Sequence, residues 1–185
     1  DVARAALRLE GMTPLPGRGA RYRLQLESEQ GEALLIDESY NSNPLSLVAA
    51  LEQARACAGN GRLVAVLADM AELGPRGPEL HLALADGFRR CRLDLAIALG
   101  PQMAAALAAA EVETIEAANI EEARGLLMPR LRAGDTVMIK GANRAGLGAL
   151  VARLRTIARV PGPSGRTAGS GPAMLERAAR LAALG

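Results

Sequence analysis

Short apolar runs and longer mixed stretches take turns along most of this chain. Residues 33–36 and 63–68 are continuous apolar runs of strand length, 93–99 is one interrupted only by Asp94, and 112–115 and 136–139 are shorter, mixed stretches that also read as strands. Between them, 44–58, 79–91, 102–109, 120–132 and 145–158 place apolar residues at helical spacing. Residues 22–26 alternate apolar and polar positions, which predicts an edge strand joined through a turn at 28–31 to the run at 33–36. Strands that are apolar throughout and alternate with helices predict a largely parallel sheet covered on both faces. The expected fold class is therefore α/β, a three-layer sandwich built on a Rossmann-like, mostly parallel sheet.

The pattern weakens at both ends. A short helix predicted over 2–9 is broken by Gly11, Pro14, Pro16 and Gly17, so residues 1–18 read as the end of a preceding unit. Residues 161–172, PGPSGRTAGSGP, read as a linker, and 174–184 resume an apolar helical pattern. The main domain is expected over 19–160, with 161–185 as linker and terminal helix.

Composition narrows the function classes. Half of the 185 residues are apolar and 23% are charged, as expected for a chain that folds into a globular domain. A net charge of +2 and an aromatic content of 2% give neither the basic patch nor the stacking rings of a nucleic-acid binder, so no nucleic-acid partner is expected. Cys57 and Cys91 lack metal-site spacing and predict free thiols. The N-terminal residues lack a positive region leading into an apolar one, and no apolar run reaches membrane-spanning length, so neither export nor a transmembrane segment is expected.

Candidate chemistry falls in three polar loops that follow strands, the place where open parallel sheets gather ligands. The first runs from Asp37 and Glu38 through Tyr40, Asn41 and Asn43 to Pro44. It offers carboxylates for a ribose diol and amides for a base, although Asn41, Ser42 and Asn43 would equally serve to shape the turn and cap the helix. The second contains Asp69 and Glu72 and is followed by His81, a lone histidine of the kind that is usually satisfied within its fold. The third, Lys140-Gly141-Ala142-Asn143-Arg144, would put two cations at a helix N-terminus and could receive an anion. The chain contains neither GxxxxGK[ST] nor GxGxxG, which disfavours a self-sufficient P-loop enzyme or an ordinary dehydrogenase.

Three strings together resemble the Mur ligase family: Ile36-Asp37-Glu38-Ser39-Tyr40-Asn41-Ser42-Asn43-Pro44, Val66-Leu67-Ala68-Asp69-Met70-Ala71-Glu72-Leu73-Gly74 with His81, and Gly134-Asp135-Thr136-Val137-Met138-Ile139-Lys140-Gly141. The Tyr-Asn-x-Asn-Pro string resembles the branch that adds D-alanyl-D-alanine to UDP-N-acetylmuramoyl-tripeptide. The resemblance implies the C-terminal domain of an ADP-forming amide ligase of peptidoglycan synthesis in the cytoplasm. Residues 1–18 would then be the tail of a central ATPase domain and its hinge, and ATP and Mg2+ would be bound mainly by that domain. It implies nucleotide binding by Arg18, Asp37, Glu38, Tyr40, Asn41 and Asn43, with either Asp37 or Glu38 on the ribose. It places Asp69, Glu72, His81, Lys140, Asn143 and Arg144 on the substrate side, and implies no catalytic residue and no metal ligand within this chain. Ala142 stands where the family more often has Ser. A nonenzymatic nucleotide- or ligand-binding α/β module, a ligase for another amino acid and a folylpolyglutamate synthase are the alternatives.

Overall fold

The computed structural model describes residues 14–26 and 31–157. The helix expected over 2–9, most of the turn over 28–31, the linker over 161–172 and the helix over 174–184 lie outside the described residues. Six strands form one sheet: β1 (Ala20–Leu26), β2 (Gly31–Glu38), β3 (Leu63–Ala68), β4 (Leu95–Leu99), β5 (Thr114–Glu116) and β6 (Thr136–Lys140), in the order β1-β2-β6-β3-β4-β5. Among the described residues only the β1–β2 pair is antiparallel; the other pairs are parallel. The expected three-layer α/β sandwich is thus the observed fold.

The helices are α1 (Pro44–Ala58), α2 (Gly77–Leu82), α3 (Ala85–Arg90), α4 (Pro101–Ala109), α5 (Ile120–Leu127) and α6 (Leu147–Ile157). Strand side chains alternate between the faces, so Leu63, Ala65 and Leu67 of β3 enter a core with Leu47 and Leu51 of α1, Phe88 of α3 and Met103 and Leu107 of α4. Val64, Val66 and Ala68 enter the opposite core, filled by Leu127 of α5 and by Leu150 and Leu154 of α6. Each fully buried Leu or Phe contributes about 1.5–3 kcal/mol relative to exposure, so these two layers dominate the stability.

Three helix boundaries differ from the sequence expectation, each for a local reason. The helix expected over 79–91 begins earlier, at Gly77-Pro78, and divides into α2 and α3 where the Leu84 amide turns to the His81 carbonyl three residues back (3.0 Å). The helix expected over 120–132 stops at Leu127 and tightens into a 3-10 turn, Met128–Arg130, because Pro129 has no N–H and crowds the preceding turn. The helix expected over 145–158 is preceded by a separate 3-10 turn, Asn143–Ala145, which Gly146 closes in the left-handed conformation at φ 69°. Asn143 and Arg144 therefore do not sit on the first turn of α6.

The topology singles out one edge. The connections after β2 and β3 pack helices on one face, whereas the chain after β6 returns as α6 on the other. Because β6 lies between β2 and β3, the chain leaves in opposite directions on both sides of its carboxyl end. Such a reversal opens the crevice in which doubly wound folds bind ligands.

Candidate functional site

The crevice beside β6 is lined by residues of both neighbouring loops. Glu38, at the end of β2, is paired in register with Lys140, at the end of β6. The Lys140 ammonium donates to the Asn41 carbonyl (2.9 Å) and stands 3.5 Å from the Glu38 carboxylate. With only 3% of its surface exposed, Lys140 is a buried cation. Burial pushes its pKa below the ordinary value of 10.5; Glu38 opposes that shift, and nearby Arg18 adds to it.

The opposite wall comes from the segment that enters β1. Arg18 lies over the ring of Tyr40, 4.0 Å from its centroid. Gly17 makes this close approach possible: its φ is 76°, and a Cβ there would lie 2.8 Å from the Tyr40 amide nitrogen. The resulting cleft has a volume of about 430 Å³, and Arg18, Glu38, Tyr40, Asn41, Ser42 and Lys140 are among its lining residues. It combines two cations, one carboxylate, a phenol and backbone carbonyl groups, a set suited to a polyanion that also carries hydroxyl groups.

The structure separates the first loop's residues by role. Asp37 is buried, and its carboxylate accepts from the Gly17 amide (2.8 Å), the Ser39 amide (3.1 Å) and the Ser39 hydroxyl (2.6 Å). Glu38, one residue on, faces the cleft. Asn43 is the N-cap of α1: its side chain accepts from the Ser46 amide (2.8 Å), and the Ser46 hydroxyl accepts from the Asn43 amide (3.0 Å). The helix-capping alternative noted for this loop thus holds for Asn43, which also lines the cleft, while Asn41 contributes its carbonyl group to Lys140.

The loop after β3 is tied to structural tasks. Asp69 accepts from the Met103 amide (2.7 Å) in the first turn of α4. His81 is fully buried; its Nε2 accepts from the Met70 amide (2.9 Å), which leaves Nδ1 to donate to the Gly77 carbonyl (2.7 Å). His81 therefore clamps the loop from within the fold and has no open face for a substrate. Glu72 is exposed in the left-handed conformation at φ 62°.

Asn143 and Arg144 are both exposed. Asn143 lines a neighbouring groove of about 510 Å³, on the α6 side of Tyr40, together with Pro16, Gly148, Ala152 and Arg155. Lys140, expected beside Asn143 on the substrate side, instead belongs with Arg18 and Glu38. The three loops do converge: β2, β6 and β3 are adjacent, and the Ala142 amide reaches the Asp69 carbonyl (3.4 Å).

Sequence reasoning gave Ser39 no role and Ser42 only a part in the turn. Ser39 stands two residues after Asp37, the spacing of an Asx turn, and that signal was legible. Ser42 is 5% exposed, and its hydroxyl oxygen has no hydrogen-bond partner among the described residues, a fact that only packing reveals. Among the described residues, no three His, Cys, Asp or Glu side chains are gathered as metal ligands, and no helix is long and apolar enough to cross a membrane.

The chain matches the family described as Mur ligase, glutamate ligase domain, over residues 22–143. A UDP-N-acetylmuramoyl-tripeptide–D-alanyl-D-alanine ligase of Synechocystis sp. is 33% identical over 75% of this chain and 30% of its own length. The enzyme of the same description from Mycobacterium tuberculosis is 31% identical over 71% of this chain and 30% of its own length. A crystal structure of MurF from Acinetobacter baumannii superposes with a TM-score of 0.63 at 27% identity, covering 80% of this chain and 32% of that one. The chain thus spans about a third of the length of the relatives it matches. The polar crevice beside β6, the three converging loops and these likenesses agree, and the chain belongs to the Mur ligase family, through its glutamate ligase domain.

Proposed function

We propose that this chain is the C-terminal part of an ADP-forming ligase that adds D-alanyl-D-alanine to UDP-N-acetylmuramoyl-tripeptide in peptidoglycan synthesis. The observation that carries the reading is the cleft in which Arg18, Glu38, Tyr40 and Lys140 meet at the reversal of the sheet, in a chain whose relatives bear that description. ATP would lie between this cleft and a preceding domain, with the Arg18 guanidinium directed at phosphate and Glu38 at the ribose hydroxyls. Asp37, with its carboxylate already engaged by three donors, is the weaker candidate for the ribose.

In such a ligase ATP phosphorylates the tripeptide's terminal carboxylate, and the dipeptide amine displaces phosphate from the acyl phosphate. Magnesium would screen the phosphate charge, bound mainly by the central domain. This chain's share is to hold one side of the nucleotide, present the dipeptide and exclude water on closure. Asn143 and Arg144, on the exposed turn before α6, are suited to the dipeptide carboxylate. Lacking a P-loop, the chain alone would not hydrolyse ATP. On this reading the work would be done in the cytoplasm.

Steady-state kinetics of the intact ligase test the division of roles. Arg18→Ala and Glu38→Ala should raise the KM for ATP, and Asn143→Ala and Arg144→Ala the KM for the dipeptide, each by roughly ten- to a hundredfold for one lost charge-assisted contact. If Arg144→Ala altered only the ATP constant, the dipeptide site would have to lie elsewhere.

A further inference from the structure

We infer that Asp37 is a positioning residue: a buried latch that fixes the segment entering the domain and so holds Arg18 in place for phosphate. The inference rests on the nucleotide reading of the cleft given above. Asp37 is not among the residues that line that cleft; it borders the neighbouring groove on the α6 side of Tyr40, with its carboxylate turned to protein donors. Its carboxylate instead spans two segments twenty residues apart, taking the Gly17 amide on Oδ2 (2.8 Å) and the Ser39 amide and hydroxyl on Oδ1 (3.1 and 2.6 Å). Backbone bonds continue the seam on both sides, from the Gly19 amide to the Asp37 carbonyl (2.8 Å) and from the Tyr40 amide to the Gly17 carbonyl (3.1 Å).

Arg18 lies between the two glycines of this seam and is held at its tip by the Tyr40 ring. Both glycines have positive φ, 76° at Gly17 and 85° at Gly19, and without a Cβ either could adopt many other conformations unless something selects this one. A carboxylate makes that selection well. Each oxygen only accepts, one is committed to each segment, and an amide in its place would offer an NH2 group to a donor on one side. The side chain that enters the cleft is Glu38; the one that fixes the geometry of its wall is Asp37.

The test is a double-mutant cycle in the intact ligase, with Asp37→Asn and Arg18→Ala made singly and together and ATP and dipeptide varied in turn. Asp37→Asn should raise the KM for ATP about tenfold, the effect of losing one charge-assisted contact, and leave the dipeptide KM unchanged. In the Arg18→Ala background the same substitution should add nothing, because the group it positions is gone. Equal effects of Asp37→Asn in both backgrounds, equal effects on both substrates, or no effect at all would overturn the latch. If Arg18→Ala itself left the ATP constant unchanged, the nucleotide reading would be wrong and the latch would fall with it. Ser39→Ala removes one donor and keeps the carboxylate, so it carries the same test if Asp37→Asn fails to fold. It should give a smaller ATP-specific rise that also vanishes without Arg18, and a rise that persisted there would count against the latch.

Discussion

Asp37 and Glu38 are neighbours in sequence and of one chemical kind, yet one has its carboxylate engaged by three donors and the other faces the cleft beside β6. Side chains alternate along a strand, so consecutive residues at the end of β2 are delivered to opposite sides of the sheet. Lys140 shows what the cleft does to a charge. Its pKa is lowered by burial, so at pH values between the folded value and 10.5 the unfolded chain holds more protons than the folded one. Stability must then rise with pH across that window, and the cost of the buried charge is present in full below it. Lys140→Met removes this contribution. The stability of wild type relative to Lys140→Met should therefore improve as pH rises toward 10.5, as measured by urea midpoints of both proteins along a pH series. The Cys91 thiol, raised by burial from 9.0, works in the opposite direction but equally in both proteins, so the comparison cancels it. Parallel pH curves would refute the assignment.

At the scale of elements, the end of β6 depends on how closely it packs. Gly141 follows the strand where it passes β3, and a Cβ there would lie 2.6 Å from the Ala68 Cβ and 2.8 Å from a methyl of Leu147. Neither neighbour can retreat easily, since Ala68 belongs to a core strand and Leu147 begins α6. Gly141→Ala should cost about 1–3 kcal/mol by overpacking, read as a lowered denaturant midpoint at unchanged slope. Wild-type stability in that variant would mean that the loop relaxes and does not hold Lys140 rigidly. The boundaries of α5 and α6 follow the same local logic. Pro129 ends the one and Gly146 introduces the other, and in both cases the deciding residue was visible in the chain.

For the molecule as a whole, sheet order matters more than any single element. Inserting β6 between β2 and β3 brings together loops that are about a hundred residues apart in sequence, as in the contact from Lys140 to Asn41. Among the described residues both cores are filled from positions between 20 and 154, and the Pro-, Gly- and Ser-rich residues 161–172 can contribute little buried apolar area. Deleting everything after Val160 should accordingly leave the melting temperature of this chain within about two degrees of its original value, since a substitution-sized loss of 1 kcal/mol already moves a domain of this size by roughly 2–4 °C. A larger fall would show that the segment beyond 160 contributes to a core.

The sequence alone determined the strand–helix alternation, the fold class and the three loops at one sheet edge, because continuous apolar strands can be covered only by helices on both faces. Its strings also resembled the family that the chain proved to match. What it could not decide was which polar side chain faces the crevice. Asn43 caps a helix, Asp69 holds the start of α4, His81 is sealed inside, and Lys140 joins Glu38 rather than Asn143. All four are polar residues in or beside polar loops, alike in type and position along the chain. Only the register between β2 and β6, and the donors that packing brings to each side chain, separate those committed to the fold from those left facing the cleft.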